Sequence, residues 1–329
     1  MLVTAPRIDP VPAGVKRPLW SIMIPTFNCA KYLRRTLASV LAQDAGEDLM
    51  QIEVVDDCST KDDPAAVVRE MAPGRVGFTR NEENLGATRN FNQCIRRARG
   101  ELVHMLHGDD LVAPNFYTEI GGIASSFPEC SFFATRAFFI DENDIVLFVT
   151  ERLDAMEAPT RDVTRMLANQ LFQTPGVVVR RRFYEEYGGF RPELVHCADW
   201  EMWVRAVHFG GGVVHSQPLA SYRVFGASDT SRLALSGENV RDILRLAGAF
   251  AGYQGFSPAA LRGFAARRAF EQYRRFAAAG NDAAAAANRS LYESIVPRRE
   301  RFAGRAIGAM RSLFHYVAPE TALWASPPR

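Results

Sequence analysis

Within its first 110 residues the chain runs four times through one alternation: a short apolar stretch, then turn residues or a segment with helical spacing. The stretches are 20-WSIMIP-25, 52-IEVVDD-57, 75-RVGFTR-80 and 101-ELVHML-106. Short apolar runs bounded by turn residues read as buried strands. Asn28 is placed to cap a helix reaching residue 41, with Tyr32, Leu33, Leu37, Val40 and Leu41 on one face, and another helix is expected over 87–98. Strands separated by helices at this spacing argue for a parallel sheet with crossover helices, in an α/β fold. Such sheets gather ligands beyond the carboxyl ends of their strands. The polar clusters Thr26/Asn28, Asp56/Asp57 and His107–Asp110 all fall at those ends.

Further along, strands are expected at 131–140 and 145–149, joined by a turn over Asp141–Asp144, and at 176–181. Helices are expected at 161–172, at 183–190 up to the glycines, and at 199–210, with 111–130 and 190–198 left as loops. From residue 232 alanine, arginine and phenylalanine dominate, and Ser257-Pro258 and Asn281-Asp282 read as helix starts. The division is therefore 1–18 as a loose, proline-containing arm, 19–231 as an α/β domain, and 232–329 as an all-helical region.

The net charge of +2 gives no warrant for a nucleic-acid footprint. Five cysteines, an odd number without a CxxC pair, read as reduced thiols of a cytoplasmic protein. No run reaches the roughly 20 apolar residues of a membrane span. The segment 301-RFAGRAIGAMRSLFHYV-317 has a basic, amphipathic pattern. It suits either the inner face of an anionic membrane or packing against the catalytic domain or a second subunit, so peripheral membrane contact and homodimerisation through 232–329 both stay open.

Five motifs stand in order: 24-IPTFN-28, 54-VVDDCST-60, 84-NLGATRN-90, 106-LHGDD-110 and 198-ADWEMW-203. In this order and spacing the chain resembles the family 2 glycosyltransferases, over about residues 19–225. The resemblance implies a GT-A fold and an inverting, metal-dependent transfer of one sugar from a nucleotide donor, UDP- or dTDP-linked. The acceptor it implies is a saccharide or lipid-linked saccharide in surface-polysaccharide synthesis. Pro25, Thr26, Phe27 and Asn28 then form the first nucleotide loop, and Asp56 and Asp57 accept hydrogen bonds from base and ribose. Asn84 shapes the following turn, and Arg89 contacts the nucleotide or its phosphate. His107 and Gly108 lie in the donor loop. Asp109 and Asp110 hold the divalent cation, Mn2+ or Mg2+, that neutralises the departing diphosphate. Asp199 is the general base, with Glu201 as the fallback carboxylate.

The sequence departs from the pattern in four places. His107 stands where an acid is usual, Cys58 replaces a glycine, Ala198 replaces a glutamate, and a histidine expected near Phe225 is missing. Tyr222, Arg223 and Ser228 are left as candidate phosphate contacts. The text 272-QYRRF-276 approximates the Q-x-x-R-W of processive synthases but carries phenylalanine for tryptophan, and reads as coincidence. Two other classes compete with the transferase. A catalytically inactive sugar-nucleotide-binding or scaffold protein is suggested by these departures. A nucleotidyltransferase also uses paired acids on an α/β sheet, but 24-IPTFNCAKY-32 lacks the glycine-rich loop it would need.

Overall fold

The computed structural model describes residues 5–226 and 228–297. The basic segment at 301–317 lies outside the described residues. Two compact units result, one running to Val224 and taking in Gly248–Phe256, the other comprising Phe225–Ala247 and the chain from Ser257 onward.

In the first unit, β1 (Trp20–Thr26) and β2 (Met50–Asp56) are buried at every position. That is what strands covered on both faces require, and the polar Gln51, Glu53 and Asp56 of β2 are buried with hydrogen-bond partners. β1 pairs in parallel with β2 and with β4 (Leu102–Met105), and β3 (Gly77–Arg80) lies parallel outside β2. Three helices provide crossovers: α1 (Ala30–Leu41), α2 (Pro64–Met71) and α3 (Ala87–Arg97). The register sets Thr26 beside Asp56 and Met23 beside Met105. It therefore delivers the first three polar loops to one edge of the sheet.

The remainder of the sheet is mixed. Its order is β3-β2-β1-β4-β8-β6-β9-β5, with β7 pairing antiparallel to the Phe138–Ile140 end of β6. Here β5 is Leu111–Val112, β6 Phe132–Ile140, β7 Val146–Val149, β8 Val177–Arg180 and β9 Gly212–Arg223. β8 runs antiparallel to β4 and β6, while β9 runs parallel to β6. Sequence reading missed β9, because 215-HSQP-218 interrupts its pattern with polar residues and a proline. The structure absorbs them in a register slip, where Thr135 faces His215 and Arg136 already faces Pro218.

α4 (Phe116–Ser126) replaces an expected loop. Its paired Gly121 and Gly122 weaken helix propensity, but Phe116, Tyr117, Ile120 and Ala124 bury one face and fix it. The helix expected at 161–172 is instead a series of turns. The Met166 carbonyl accepts from Trp200 Nε1 at 2.6 Å, and the Asp162 carboxylate accepts from Thr164 N, which draws the segment away from helical pairing. The arm is not loose from residue 5 on. Ile8 is buried, Gly189 N–H donates to the Pro6 carbonyl at 2.8 Å, and Arg181 donates to the Asp9 carbonyl.

α5 (Arg181–Tyr187) ends at Gly188, whose φ of +83° is a conformation only glycine adopts freely. α6 (Ala198–Gly210) is buried along most of its length. The second unit is helical, with α7 (Asp229–Ser236), most of α8 (Glu238–Phe250), α9 (Pro258–Ala278) and α10 (Asp282–Ile295). Ser257 and Asn281 cap α9 and α10 through their side chains, as their sequence context predicts. Gln272 and Phe276 of the QYRRF stretch are buried. No described helix is long and apolar enough to cross a membrane.

Candidate active site

The loop after β1 is built by hydrogen bonds to the loop after β2. Asn28 takes a φ of +52°, its Oδ1 accepts from Thr60 N and Lys61 N at 2.9 Å, and its own N–H donates to Ser59 Oγ at 2.8 Å. Asn28 therefore clamps two loops and does not cap α1, whose first N–H goes to Asp62 Oδ2. Cys58 stands in the left-handed region at φ +62°, the conformation for which glycine is suited, so its replacement of glycine is held under strain. Pro25 and Thr26 are buried strand residues, and Phe27 is exposed at 46% on the rim.

The two acids expected to read the base are internal supports. Asp56 is fully buried, pairs with Arg80 Nε at 2.6 Å, and accepts from Ser59 N and Oγ. Asp57 is 3% exposed, and its carboxylate accepts from Asn81 Nδ2, Leu85 N and Gly86 N at 2.8–2.9 Å. It thereby holds the entry to α3. Asn84 donates to the Asp57 carbonyl, which agrees with its expected turn-shaping part. Arg89 is exposed on the first turn of α3.

The loop after β4 packs tightly on this frame. Gly108 N donates to the Pro25 carbonyl at 3.0 Å, and a Cβ on Gly108 would stand 2.9 Å from Thr26 Oγ1 and 3.0 Å from Cys29 Sγ. Any larger residue there would force Thr26 and Cys29 to shift. Cys29 lies against Thr26, and burial with the nearby Asp109 charge pushes its thiol up to about 12, so it remains protonated.

Beyond Gly108, His107, Asp109 and Asp110 each place a ligand-type atom within 4.8 Å of the others. Asp110 is 1% exposed; its Oδ1 accepts from Arg223 N at 2.8 Å, while Oδ2 is buried without a hydrogen-bond partner. Burial first, then the neighbouring Asp110 charge, pushes Asp109 up to about 7. For His107 burial alone would lower the ring's pKa, but Asp110, Asp109 and Asp199 outweigh it and raise it. Two crowded carboxylates with an unpartnered buried oxygen fit a divalent cation, which would relieve their repulsion.

Asp199 sits in the first turn of α6, partly buried. Its Oδ2 accepts from Gln170 Nε2 at 2.8 Å and Thr174 Oγ1 at 3.4 Å, and its Oδ1 from Trp200 N at 2.7 Å. Burial pushes it up to about 6, against the lowering effect of Trp200 N, the His107 charge and the Thr174 hydroxyl. Gln170 and Thr174 carried no sequence signal, since they lie in an irregular segment 29 and 25 residues before Asp199.

One expected phosphate contact is corrected. Arg223 is 2% exposed, and its guanidinium is spent on the Asp109 carbonyl at 2.7 Å, the Asp141 carbonyl at 2.7 Å and Asp144 at 2.6 Å, above the Tyr32 ring. It is a clamp on the loop, not a phosphate contact. Tyr222 packs edge-on to Phe139, and Ser228 caps α7 through its hydroxyl. Glu201 is 3% exposed between Arg191 and Arg205, which excludes it as a second base.

Comparison with known proteins identifies the family and agrees with the fold. The profile described as Glycosyl transferase family 2 matches residues 21–188, just over half of the chain. WcaA of Escherichia coli K12, by name a colanic acid biosynthesis glycosyl transferase, is 35% identical over 99 residues, 30% of this chain and 35% of that protein. Among solved structures, S. aureus TarS 1–349 in complex with UDP-GlcNAc superposes with a TM-score of 0.58 at 17% identity, covering 78% of this chain and 72% of that one. The mannosyltransferase PcManGT from Pyrobaculum calidifontis, in complex with GDP-Man and Mn2+, gives 0.59 at 19% identity, covering 99% and 87%. At such identities the structures speak to the fold, which is GT-A-like with added C-terminal helices.

Proposed function

The chain belongs to glycosyl transferase family 2, and from that premise we propose that it is an inverting, metal-dependent enzyme transferring one sugar from a nucleotide donor. The observation that carries this reading is the His107–Asp109–Asp110 cluster, with its unpartnered Asp110 oxygen, in the loop after β4. Asp109 and Asp110 would hold a divalent cation, which supplies positive charge to the leaving diphosphate. Asp199, ionised above about pH 6, takes the proton of the acceptor hydroxyl. That oxygen attacks the anomeric carbon as the bond to the nucleotide breaks on the opposite face, so no covalent enzyme intermediate is needed. Gln170 and Trp200 N hold the carboxylate in place. A UDP- or dTDP-sugar is the favoured donor, with UDP supported by the TarS complex; the GDP-Man of PcManGT makes a guanine nucleotide the first alternative to assay. The name of WcaA, a colanic acid biosynthesis glycosyl transferase, supports a place in polysaccharide assembly; a saccharide or lipid-linked saccharide is the acceptor in this reading, reached from the cytoplasmic side.

Nucleoside diphosphate release from a panel of sugar nucleotides with Mn2+ or Mg2+ tests the reading. Release should occur and should collapse in Asp109→Ala and Asp199→Asn. Donor binding without release across the acceptor panel would replace it with a binding module, and pyrophosphate release with a nucleotidyltransferase.

A further inference from the structure

His107 occupies the place in the donor loop where a carboxylate is expected, and its surroundings prepare it for more than packing. Its ring stacks on Phe91 at 5.1 Å with 16° between planes, which fixes the imidazole orientation. Nδ1 lies 3.5 Å from Asp110 Oδ2, beyond a normal hydrogen bond, and Nε2 is buried without a partner. Asp110 faces it with the one oxygen that Arg223 N leaves unused. The Asp109 main chain is pinned through its carbonyl by Arg223 Nε, which leaves its side chain for the cluster. A buried polar atom left unpaired is costly, so His107 Nδ1 and Asp110 Oδ2, facing each other beyond hydrogen-bond distance with Asp109 beside them, point to a missing common partner.

We propose that His107 is itself an inner-sphere nitrogen ligand of the catalytic cation and makes this site select Mn2+ over Mg2+. The inference rests on the metal-dependent reading above and names the donor that decides which metal is used. Mg2+ is hard, favours an octahedral set of oxygens and keeps its waters, whereas imidazole nitrogen suits the first-row transition ions. Exchanging a carboxylate for imidazole also removes a negative charge on which Mg2+ depends more heavily. The set becomes one nitrogen and two carboxylates, with the other positions left to diphosphate oxygens and water.

The test is pulsed electron paramagnetic resonance on the full chain with MnCl2, alone and with UDP or GDP, alongside Mg2+ competition for the bound Mn2+. Wild type should show 14N modulation from a directly bound nitrogen. His107→Asp should keep Mn2+ bound, lose the modulation, and move the Mn2+/Mg2+ preference toward Mg2+ on the order of tenfold. His107→Asn, similar in size, should also lose the modulation and weaken Mn2+ binding, which controls for folding of the acidic variant. Mn2+ bound to wild type without 14N modulation, or an unchanged metal preference in His107→Asp, overturns the proposal and leaves the metal-dependent reading standing. Failure to bind Mn2+ at all, with or without nucleotide, overturns both.

Discussion

Replacing Arg223 by methionine keeps an unbranched apolar stem in a site that is 2% exposed and removes only the guanidinium. Three acceptors then lose their donor: the Asp109 and Asp141 carbonyls, each at 2.7 Å, and the Asp144 carboxylate at 2.6 Å. Breaking a buried charge network from one side costs about 3–5 kcal/mol. Asp144 is 33% exposed and recovers part of its hydration, so the low end, about 3 kcal/mol, is expected. For a unit of this size that lowers the Tm by roughly 6–12 °C. Urea unfolding followed by tryptophan fluorescence reads it, because Trp20, Trp200 and Trp203 are all buried in the sheet-containing unit. Arg75→Met is the control. It breaks the partly exposed Arg75–Asp44 pair, which is not tied to the donor loop. Both variants should lose stability, but only Arg223→Met should also weaken Mn2+ binding, because the Arg223 guanidinium fixes the Asp109 carbonyl and Arg75 does not touch the donor loop. A loss below about 1 kcal/mol would refute the stated cost, and wild-type Mn2+ affinity in a destabilised Arg223→Met would refute the clamp.

Burial raises Asp199 from 3.8 to about 6. The folded chain therefore holds a proton that the unfolded chain has released across that window; stability falls as pH rises through it, and the whole penalty is present above it. Asp199→Asn should thus be more stable than wild type near pH 8 by about 1–2 kcal/mol, after discounting for partial exposure, with the difference fading toward pH 4 in denaturation series while turnover is lost. Gln170→Ala removes a 2.8 Å donor that favours the ionised carboxylate, so the acid limb of the rate profile should move to higher pH, and an unmoved limb would remove Gln170 from the site. Asp56→Asn should lower the Tm by several degrees yet leave nucleotide affinity of the folded protein unchanged in calorimetry, whereas a large affinity loss would return Asp56 to base recognition. Gly108→Ala should destabilise by about 1–3 kcal/mol and weaken Mn2+ binding, since its methyl would press on Thr26 and Cys29; a neutral substitution would mean the donor loop shifts freely.

The amino-acid sequence determined the frame by itself. Four apolar runs with helical spacers specify a parallel half-sheet, because strand and helix periodicities are local properties of the chain. The polar letters after each run identify its functional edge for the same reason. The resemblance of its motifs to the family pattern marked Asp109, Asp110 and Asp199 as candidates. What each acid does depended on partners brought from far along the chain. Asp56 and Asp57 read as ligand contacts until Arg80, Ser59, Asn81 and the α3 entry were seen to consume them. Arg223 stood as a phosphate contact until the antiparallel pairing of β5 with β9 laid it under the donor loop, 114 residues from Asp109. Sequence spacing carries periodicity, but burial and hydrogen-bond satisfaction are properties of the packed whole. Only tertiary structure decided which polar side chains are already spent and which remain to bind and react.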